Sequence, residues 1–383
     1  MNSRLSVVAL LIACGCSGCV EEPADDDSSP AAMAVRYLAD GDDDGGGYAR
    51  ALEPRAFAFP EDHGSHPDFR TEWWYFTGNV FGGGQHHYGF EVTFFRVALA
   101  PAAPESPSAW ATNQFWMAHF ALTDTLNGAF HAEERLARGA LELAGASHAP
   151  FRVWVEDWQL EGRADAGAES FRLRARGEDA EIDLELESLK PAVAQGDRGL
   201  DAKGPEPGNA SYYYSLPRLA VRGTVRVGGA GAEVDEVEGL AWMDREWATS
   251  ALSEGIAGWD WFALQLSDGR DLMYYRLRGE DGLASPESGG TLVGADGQVR
   301  RLERSDVALE VLDYWTSPLS NVRYPVEWRL AVPEEQLDLS IVPYIPNQEV
   351  DLSVRYWEGA VSVSGSAGGI PVGGNGYLEL AGY

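Results

Sequence analysis

Apolar and polar side chains alternate along most of the chain after residue 54, a period of two that is typical of β-strands with one buried face. The alternation is clearest in residues 171–176 and 182–187, and the turn-like sequence 177–179 between them predicts a hairpin. The same pattern returns in residues 219–227, 272–277, 328–332 and 361–364, with Asp-Gly turns at 268–269, 281–282 and 296–297. Many short strands joined by tight turns predict an all-β fold of the sandwich or barrel class.

The length and a weak internal repeat predict two domains. A chain of 383 residues is long enough for two. Two aromatic-rich segments, residues 72–78 and 258–266, each precede a turn and a further strand, so we predict related β-domains over residues 54–250 and 251–383. The alternative is that any β protein shows such hairpins. For residues 133–146 we predict a short helix.

The N-terminus has the features of a bacterial export signal. Residues 5–13 are apolar but too short to span a bilayer as a helix, and residues 11–14 (Leu-Ile-Ala-Cys) resemble a lipobox. We therefore predict a lipoprotein signal region over residues 1–19 with Cys14 lipidated, and Cys16 or Cys19 as the second choices. Cleavage by an ordinary signal peptidase, giving a secreted protein, is the alternative. The expected location is the bacterial cell envelope, anchored to a membrane and facing the periplasm or the outside.

Composition limits the chemistry of the rest of the chain. Residues 20–53 are acidic and rich in Gly, Ser, Pro and Ala, which predicts a disordered linker. The chain has 60 acidic and 29 basic residues, a net charge of −31, which argues against nucleic acid as a partner. All three cysteines precede residue 20, so the folded part has no disulfide or thiolate site. The sequence contains no Gly-x-Ser-x-Gly, His-Glu-x-x-His or phosphate-binding motif, and we expect no metal and no cofactor.

Five motifs resemble those of one protein family. They are residues 71–79 (TEWWYFTGN), 117–124 (MAHFALTD), 210–215 (ASYYYS), 239–247 (GLAWMDREW) and 376–383 (GYLELAGY). In this order they resemble the family that contains AttH-type secreted proteins and the carotenoid 1,2-hydratases (hydroxyneurosporene synthases). The resemblance runs from about residue 55 to the C-terminus. It implies two tandem lipocalin-like antiparallel β-barrels, and the relatives include hydratases and cyclases whose ligands are large and apolar.

The resemblance also implies a catalytic carboxyl. Hydrating an unactivated double bond needs a neutral carboxylic acid in an apolar pocket, aromatic faces beside the developing cation, and a water molecule. The motif around Asp244 resembles the hydratase segment in which an aromatic residue, here Trp242, stands two positions before the acid. In a strand Trp242, Asp244 and Glu246 share one face. We predict that Trp242 and a tyrosine of 212–214 stabilise the cation and that Glu246 orients the water. The alternative is that Asp244, Arg245 and Glu246 form a buried ion-pair network at the seam between two barrels.

Aromatic side chains supply the candidate ligand-binding wall. The candidates are Trp73, Trp74, Tyr75, His119, Tyr212, Tyr214, Trp247, Trp259 and Trp261. They either line a barrel cavity for an apolar ligand or pack between domains, and at most one of two consecutive residues can reach the lumen. The hydratases place a His before their Asp, whereas this chain has no His after His148, so a tyrosine of 212–214 fills that role or the role is absent.

Two functions therefore fit the sequence. The first is a hydro-lyase similar to the carotenoid 1,2-hydratases that acts on a large isoprenoid or lipid-like molecule. The second is a non-catalytic lipid carrier or chaperone lipoprotein that works beside an ABC transporter component. A structural envelope lipoprotein with filled barrels is a third alternative. An apolar small molecule is the expected partner in the first two, and the membrane is contacted through the lipid anchor.

Overall fold

The computed structural model describes residues 46–163, 169–229, 231–250 and 252–383, and most of the regular elements in these residues are β-strands. The first group of strands is β1 (Thr71–Phe81), β2 (His87–Ala98), β3 (Gln114–Asp124), β4 (Ala129–Arg138), β5 (Ala144–His148), β6 (Phe151–Val155), β7 (Trp158–Gly162), β8 (Ser170–Arg176), β9 (Ala180–Ser188), β10 (Val193–Ala194), β11 (Leu200–Ala202), β12 (Ala210–Val227) and β13 (Val234–Ala248). The second group is β14 (Ile256–Leu266), β15 (Asp271–Gly279), β16 (Gly289–Val293), β17 (Val299–Glu303), β18 (Ala308–Thr316), β19 (Arg323–Val332), β20 (Leu337–Pro343), β21 (Glu349–Asp351), β22 (Arg355–Ala367) and β23 (Ile370–Ala381). Single 3-10 turns occupy Glu61–His63, Gly83–Gln85, Arg304–Asp306 and Pro333–Glu335.

Each group forms one curled antiparallel sheet, so the chain is an all-β protein with two barrel-like units, as the alternation predicts. In sheet 1 the strand order is β4-β3-β2-β1-β13-β12-β9-β8-β7-β6-β5, and β10 and β11 pair with β12. In sheet 2 the order is β17-β16-β15-β14-β23-β22-β20-β19-β18, and β21 pairs with β22. The aromatic-rich strands β1 and β14 hold equivalent positions, because each pairs with the next strand of its sheet and with the last. The domain limits given above stay a prediction.

The prediction of a helix over residues 133–146 is wrong. Residues up to Arg138 continue β4, which pairs with β3 along its whole length, and a turn leads into β5 at Ala144. Leu141 and Glu142 in that turn have φ of 54° and 59°, a left-handed conformation that a right-handed helix cannot contain. The pairing partner in β3 thus overrides the local preference of this charged segment.

The two sheets pack against each other through the outer faces of their barrels. Each barrel has its own apolar core, with Trp74 and Phe76 inside the first and Phe262 and Trp328 inside the second. Because side chains alternate along β1, Tyr75 instead points to sheet 2, where its hydroxyl donates to Glu358 Oε1 at 2.8 Å.

A glycine marks how closely the sheets approach. A Cβ atom on Gly89 of β2 would lie 2.4 Å from Cβ of Ala360 in β22. The two faces therefore come together too tightly at this point for any side chain on residue 89.

The N-terminal predictions fall mostly outside the described residues. The signal region, Cys14 and residues 20–45 of the predicted linker lie there, whereas residues 46–53 lie against sheet 1. The Ala49 N–H donates to the Asp68 carbonyl at 2.8 Å, and Ala51 is buried. In the part of the chain that the structure describes, no helix has the length and apolar character needed to cross a membrane.

Candidate functional site

A pocket opens between the two sheets rather than inside either barrel. Its walls come from the outward faces of β1, β2, β3, β12 and β13 in sheet 1 and of β14, β15, β22 and β23 in sheet 2. The expectation of a ligand cavity in a barrel lumen is therefore wrong, because large apolar side chains fill both barrel cores. The interface between domains, the other position considered for the aromatic residues, is where the open space lies.

Sheet 1 supplies its wall as successive rows of paired residues. One row crosses four strands as Asp244, Tyr75, Thr93 and His119, each paired directly with the next. A second row lies two residues nearer to the start of β1 and to the end of β13. It consists of Tyr213, Glu246, Trp73 and Phe95. Because side chains two residues apart share a face, both rows point into the same pocket.

Sheet 2 supplies the facing wall in the same way. Glu358, Glu379, Trp261 and Tyr275 form one row across β22, β23, β14 and β15. The adjacent row consists of Tyr356, Ala381, Trp259 and Leu277. Both rows line the pocket, so it has aromatic walls with carboxyl groups at separate points.

The pocket opens at one end of these rows. Among the partly exposed lining residues are Trp73, Phe95, Ser250, Leu252 and Trp259, whereas those of the inner rows are mostly buried. The opening therefore lies where β1 begins and β13 ends. The N-terminal segment packs at the same end of the sheet, because the Tyr48 hydroxyl donates to the Ala98 carbonyl at 2.7 Å.

Asp244 is a buried carboxyl with three hydrogen-bond donors and no cationic side chain as a partner among the described residues. Oδ1 accepts from Ser215 Oγ at 2.5 Å and from Trp242 Nε1 at 2.6 Å, and Oδ2 accepts from the Tyr213 hydroxyl. Burial raises the pKa of Asp244 to about 7, because the three donors only partly offset the cost of a buried charge and Glu246 adds repulsion. Asp244 therefore keeps its proton to a much higher pH than an exposed aspartate does.

Glu246 lies beside a partly buried lysine, Lys203, whose side chain is 18% exposed. Lys203 Nζ lies 3.1 Å from Glu246 Oε1 and 2.6 Å from Asp201 Oδ2, with the Tyr275 ring 4.7 Å away. Burial alone lowers the pKa of Lys203, but the carboxylates of Asp201 and Glu246 raise it well above the usual value, so the ammonium stays charged. Burial raises the pKa of Glu246, and Lys203 opposes that rise. Glu246 is therefore a stronger base than an exposed glutamate and is held in place.

The predicted ion-pair network at the seam does not form. Arg245 points away from Asp244, as alternation requires, and its guanidinium pairs with Glu72 and lies 3.9 Å from the centre of the Trp74 ring. This second cluster of buried charges holds the end of barrel 1, and Asp244 is left without a counterion.

Five of the nine predicted ligand-binding residues line the pocket, and four do not. Those that line it are Trp73, Tyr75, His119, Trp259 and Trp261. Trp74 lies in the core of barrel 1. Tyr212, Tyr214 and Trp247 face the other side of their strands and pack with Phe69 under the N-terminal segment. Trp242, predicted to stabilise the cation, does not line the pocket: its Nε1 donates to Asp244, and its ring meets Trp261 edge-to-face with centroids 6.4 Å apart.

Sequence reasoning missed several pocket residues. They are Lys203, Tyr275, Tyr356, Glu358 and Glu379. Of the three predicted tyrosines 212–214, Tyr213 is the one that lines the pocket, since it pairs with Glu246 in the register that places Asp244 beside Ser215. The residues of sheet 2 carry no local signal, since only the packing of the two sheets brings them opposite Asp244. Among the described residues no group of three or more His, Cys, Asp or Glu side chains is arranged to hold a metal ion.

Comparison with known proteins gives one family. Residues 50–383 match the model of the AttH-like family. In sequence the chain is 22% identical to kievitone hydratase of Fusarium solani subsp. phaseoli over 162 residues, which are 42% of this chain and 45% of that protein. In structure it is similar to an AttH protein from Nitrosomonas europaea, with a TM-score of 0.77 and 34% identity over 88% of this chain and 99% of that one. Kievitone hydratase from Nectria haematococca shares the fold, with a TM-score of 0.64 and 15% identity over 88% and 96% of the two chains.

Proposed function

Because this chain belongs to the AttH-like family, we propose that it binds a large apolar molecule between its two sheets and hydrates a C=C bond of that molecule, with Asp244 as the acid. The observation that carries the proposal is a buried carboxyl without a cationic partner among the described residues, set in an aromatic pocket, with its pKa raised to about 7. A protein that only packs two sheets together gains nothing from such a group, because an apolar residue would avoid the cost of burying it. An acid of this strength is matched to proton transfer at neutral pH.

The geometry supports a two-step addition of water. Protonated Asp244 gives its proton to one alkene carbon, so that the π electrons form a C–H bond and leave a cation on the other carbon. Tyr75 and Trp261 both line the pocket, where their rings meet edge-to-face with centroids 5.1 Å apart, and the negative π surface of an aromatic ring stabilises a cation. A water molecule attacks the cation, and Glu246 takes its proton. Transfer of that proton back to Asp244 through water leaves the net addition of one water molecule.

The comparison with kievitone hydratase supports the reaction class. That relative is named as a hydratase, and its sequence match covers about half of each chain. In this chain Tyr213 and Ser215 donate to the acid from β12, in the region where the resemblance places a histidine, so a tyrosine takes that position.

The proposal predicts a pH profile. Because Asp244 must be protonated, kcat/KM falls about tenfold per pH unit above its pKa of about 7, and because Glu246 must be ionised to accept a proton from water, kcat/KM falls again at acid pH. The hydrogen bond from the Tyr213 hydroxyl lowers this pKa, so Tyr213→Phe moves the falling limb to higher pH. The measurement is the initial rate of hydration of kievitone from pH 5 to 9. Tyr214→Phe, whose ring faces away from the pocket, leaves the limb in place. A limb unmoved by Tyr213→Phe would exclude Asp244 as the titrating acid.

We further propose that the protein is anchored outside the cytoplasm through Cys14. The apolar residues 5–13 and the sequence Leu-Ile-Ala-Cys at residues 11–14 support this proposal. The expected result is that Cys14→Ala releases the protein from the membrane fraction of its host and abolishes labelling by radioactive palmitate. A labelled, membrane-bound Cys14→Ala protein would contradict anchoring at this residue.

A further inference from the structure

A second group of carboxyls faces Asp244 across the pocket. Glu358 and Glu379 lie directly opposite each other on β22 and β23, and both line the pocket. Glu91 of β2 lies nearby on sheet 1, where its Oε1 accepts from the Thr93 hydroxyl. The hydration chemistry proposed above uses none of these three groups.

Several polar atoms in this region have no hydrogen-bond partner among the described residues. They are Oε2 of Glu358, Oε2 of Glu91 and Nε2 of His119. The first two side chains are fully buried and His119 is 1% exposed. A buried polar atom left without a partner costs about 1–3 kcal/mol, so a cluster of them is a strong sign that another molecule completes the bonding.

The protonation states select the chemistry of that molecule. Burial raises the pKa of Glu358 well above its usual value, and the carboxyls of Glu379 and Glu91 raise it further. Burial likewise raises the pKa of Glu379 to about 8, and it lowers the pKa of His119 to about 4. At neutral pH these groups are therefore mostly uncharged, and each can donate or accept a hydrogen bond.

Hydrogen bonds fix the orientation of these groups. Glu358 Oε1 accepts from the Tyr75 hydroxyl at 2.8 Å, so its free Oε2 is held in one position. His119 Nδ1 bonds with the Tyr356 hydroxyl at 2.8 Å, which leaves Nε2 as the free atom of the ring. Both side chains line the pocket, so a molecule bound there lies beside them.

We propose that Glu358, Glu379 and His119 form a subsite that binds a hydroxyl group of the apolar ligand, with the two carboxyls on the sheet-2 wall opposite Asp244 and His119 on the sheet-1 wall. A hydroxyl both donates and accepts, which matches uncharged carboxyl and imidazole groups, whereas an ammonium group would need ionised carboxylates. The subsite rests on the proposed function, because it needs the ligand to occupy this pocket. It narrows the substrate class to neutral apolar alcohols or phenols and disfavours plain hydrocarbons.

Three probes with one carbon skeleton test the subsite. Farnesol, farnesene and farnesylamine are titrated into the purified chain at pH 7, and binding is followed by the fluorescence of the pocket residues Trp73, Trp259 and Trp261. The expected result is that farnesol binds about tenfold more tightly than farnesene, the effect of about one well-placed hydrogen bond. Tighter binding of farnesylamine than of farnesol would overturn the hydroxyl subsite in favour of a cation site.

Variants separate the subsite from the rest of the pocket. Glu379→Leu and Glu358→Leu should reduce the preference for farnesol to about one while farnesene binds within about threefold of wild type. Glu358→Gln, which keeps a donor and an acceptor, should restore the preference, and Asp244→Asn should keep it. Equal binding of farnesol and farnesene by the wild type overturns the subsite but leaves the apolar pocket standing. No binding of any probe overturns both the subsite and the proposed apolar ligand.

Discussion

Asp244→Asn lowers the rate of hydration by about a thousandfold and leaves ligand affinity within about threefold, because it removes the transferable proton but almost none of the pocket's shape. The Asn side chain can still accept from Trp242 Nε1 and can donate to the Tyr213 hydroxyl, so the local hydrogen bonds persist. The rate is measured by mass spectrometry as the gain of one water molecule by kievitone or farnesol. Affinity is followed by the quenching of tryptophan fluorescence.

A matched control exists in barrel 2. Glu349 is also a buried carboxyl that accepts from hydroxyl groups, among them Tyr324 at 2.9 Å, but it does not line the pocket. Glu349→Gln should keep the full rate of hydration. Unchanged turnover in Asp244→Asn would remove the catalytic proposal, and retained binding in the same variant would then favour the lipid carrier.

The second large effect concerns stability. Glu72→Gln lowers the free energy of unfolding by about 3–5 kcal/mol, because it leaves two buried guanidinium groups without their counterion. Arg96 and Arg245 are 2% and 0% exposed, and both pair with Glu72. Burial raises the pKa of Glu72, but the two arginines outweigh it and lower the pKa far below the usual range. The loss is measured by urea unfolding at pH 7.

An exposed pair on the same sheet is the control. Arg172 and Asp183 form an ion pair whose side chains are 44% and 36% exposed, so Asp183→Asn should cost less than about 1 kcal/mol. A loss of less than 1 kcal/mol for Glu72→Gln would show that this cluster does not hold the end of barrel 1.

The alternation of side chains was enough to predict the strand content and to separate the faces of a single strand. It placed Asp244 and Glu246 on one face and Arg245 and Trp247 on the other, and the structure confirms this division. The prediction failed over residues 133–146, because pairing with β3 outweighs local preference.

The pocket itself could not be predicted from single strands. We predicted Tyr212 and Tyr214 as ligand-binding residues, whereas Tyr213 between them is the tyrosine that reaches Asp244. The register between β12 and β13 decides this, and that register is set by long-range pairing. Glu358 and Glu379 lie more than 100 residues from Asp244 in sequence, and only the contact between the two sheets brings them to the same space.

The most direct test of the central claim is native mass spectrometry of wild type and Asp244→Asn, each purified from its own host, with identification of the extracted ligand. The account predicts one apolar, hydroxylated molecule per chain in both proteins. The molecule held by Asp244→Asn should be lighter than the one held by wild type by the mass of one water, since the variant binds the alkene but cannot hydrate it. The same ligand in both proteins, or no ligand in either, would contradict the account.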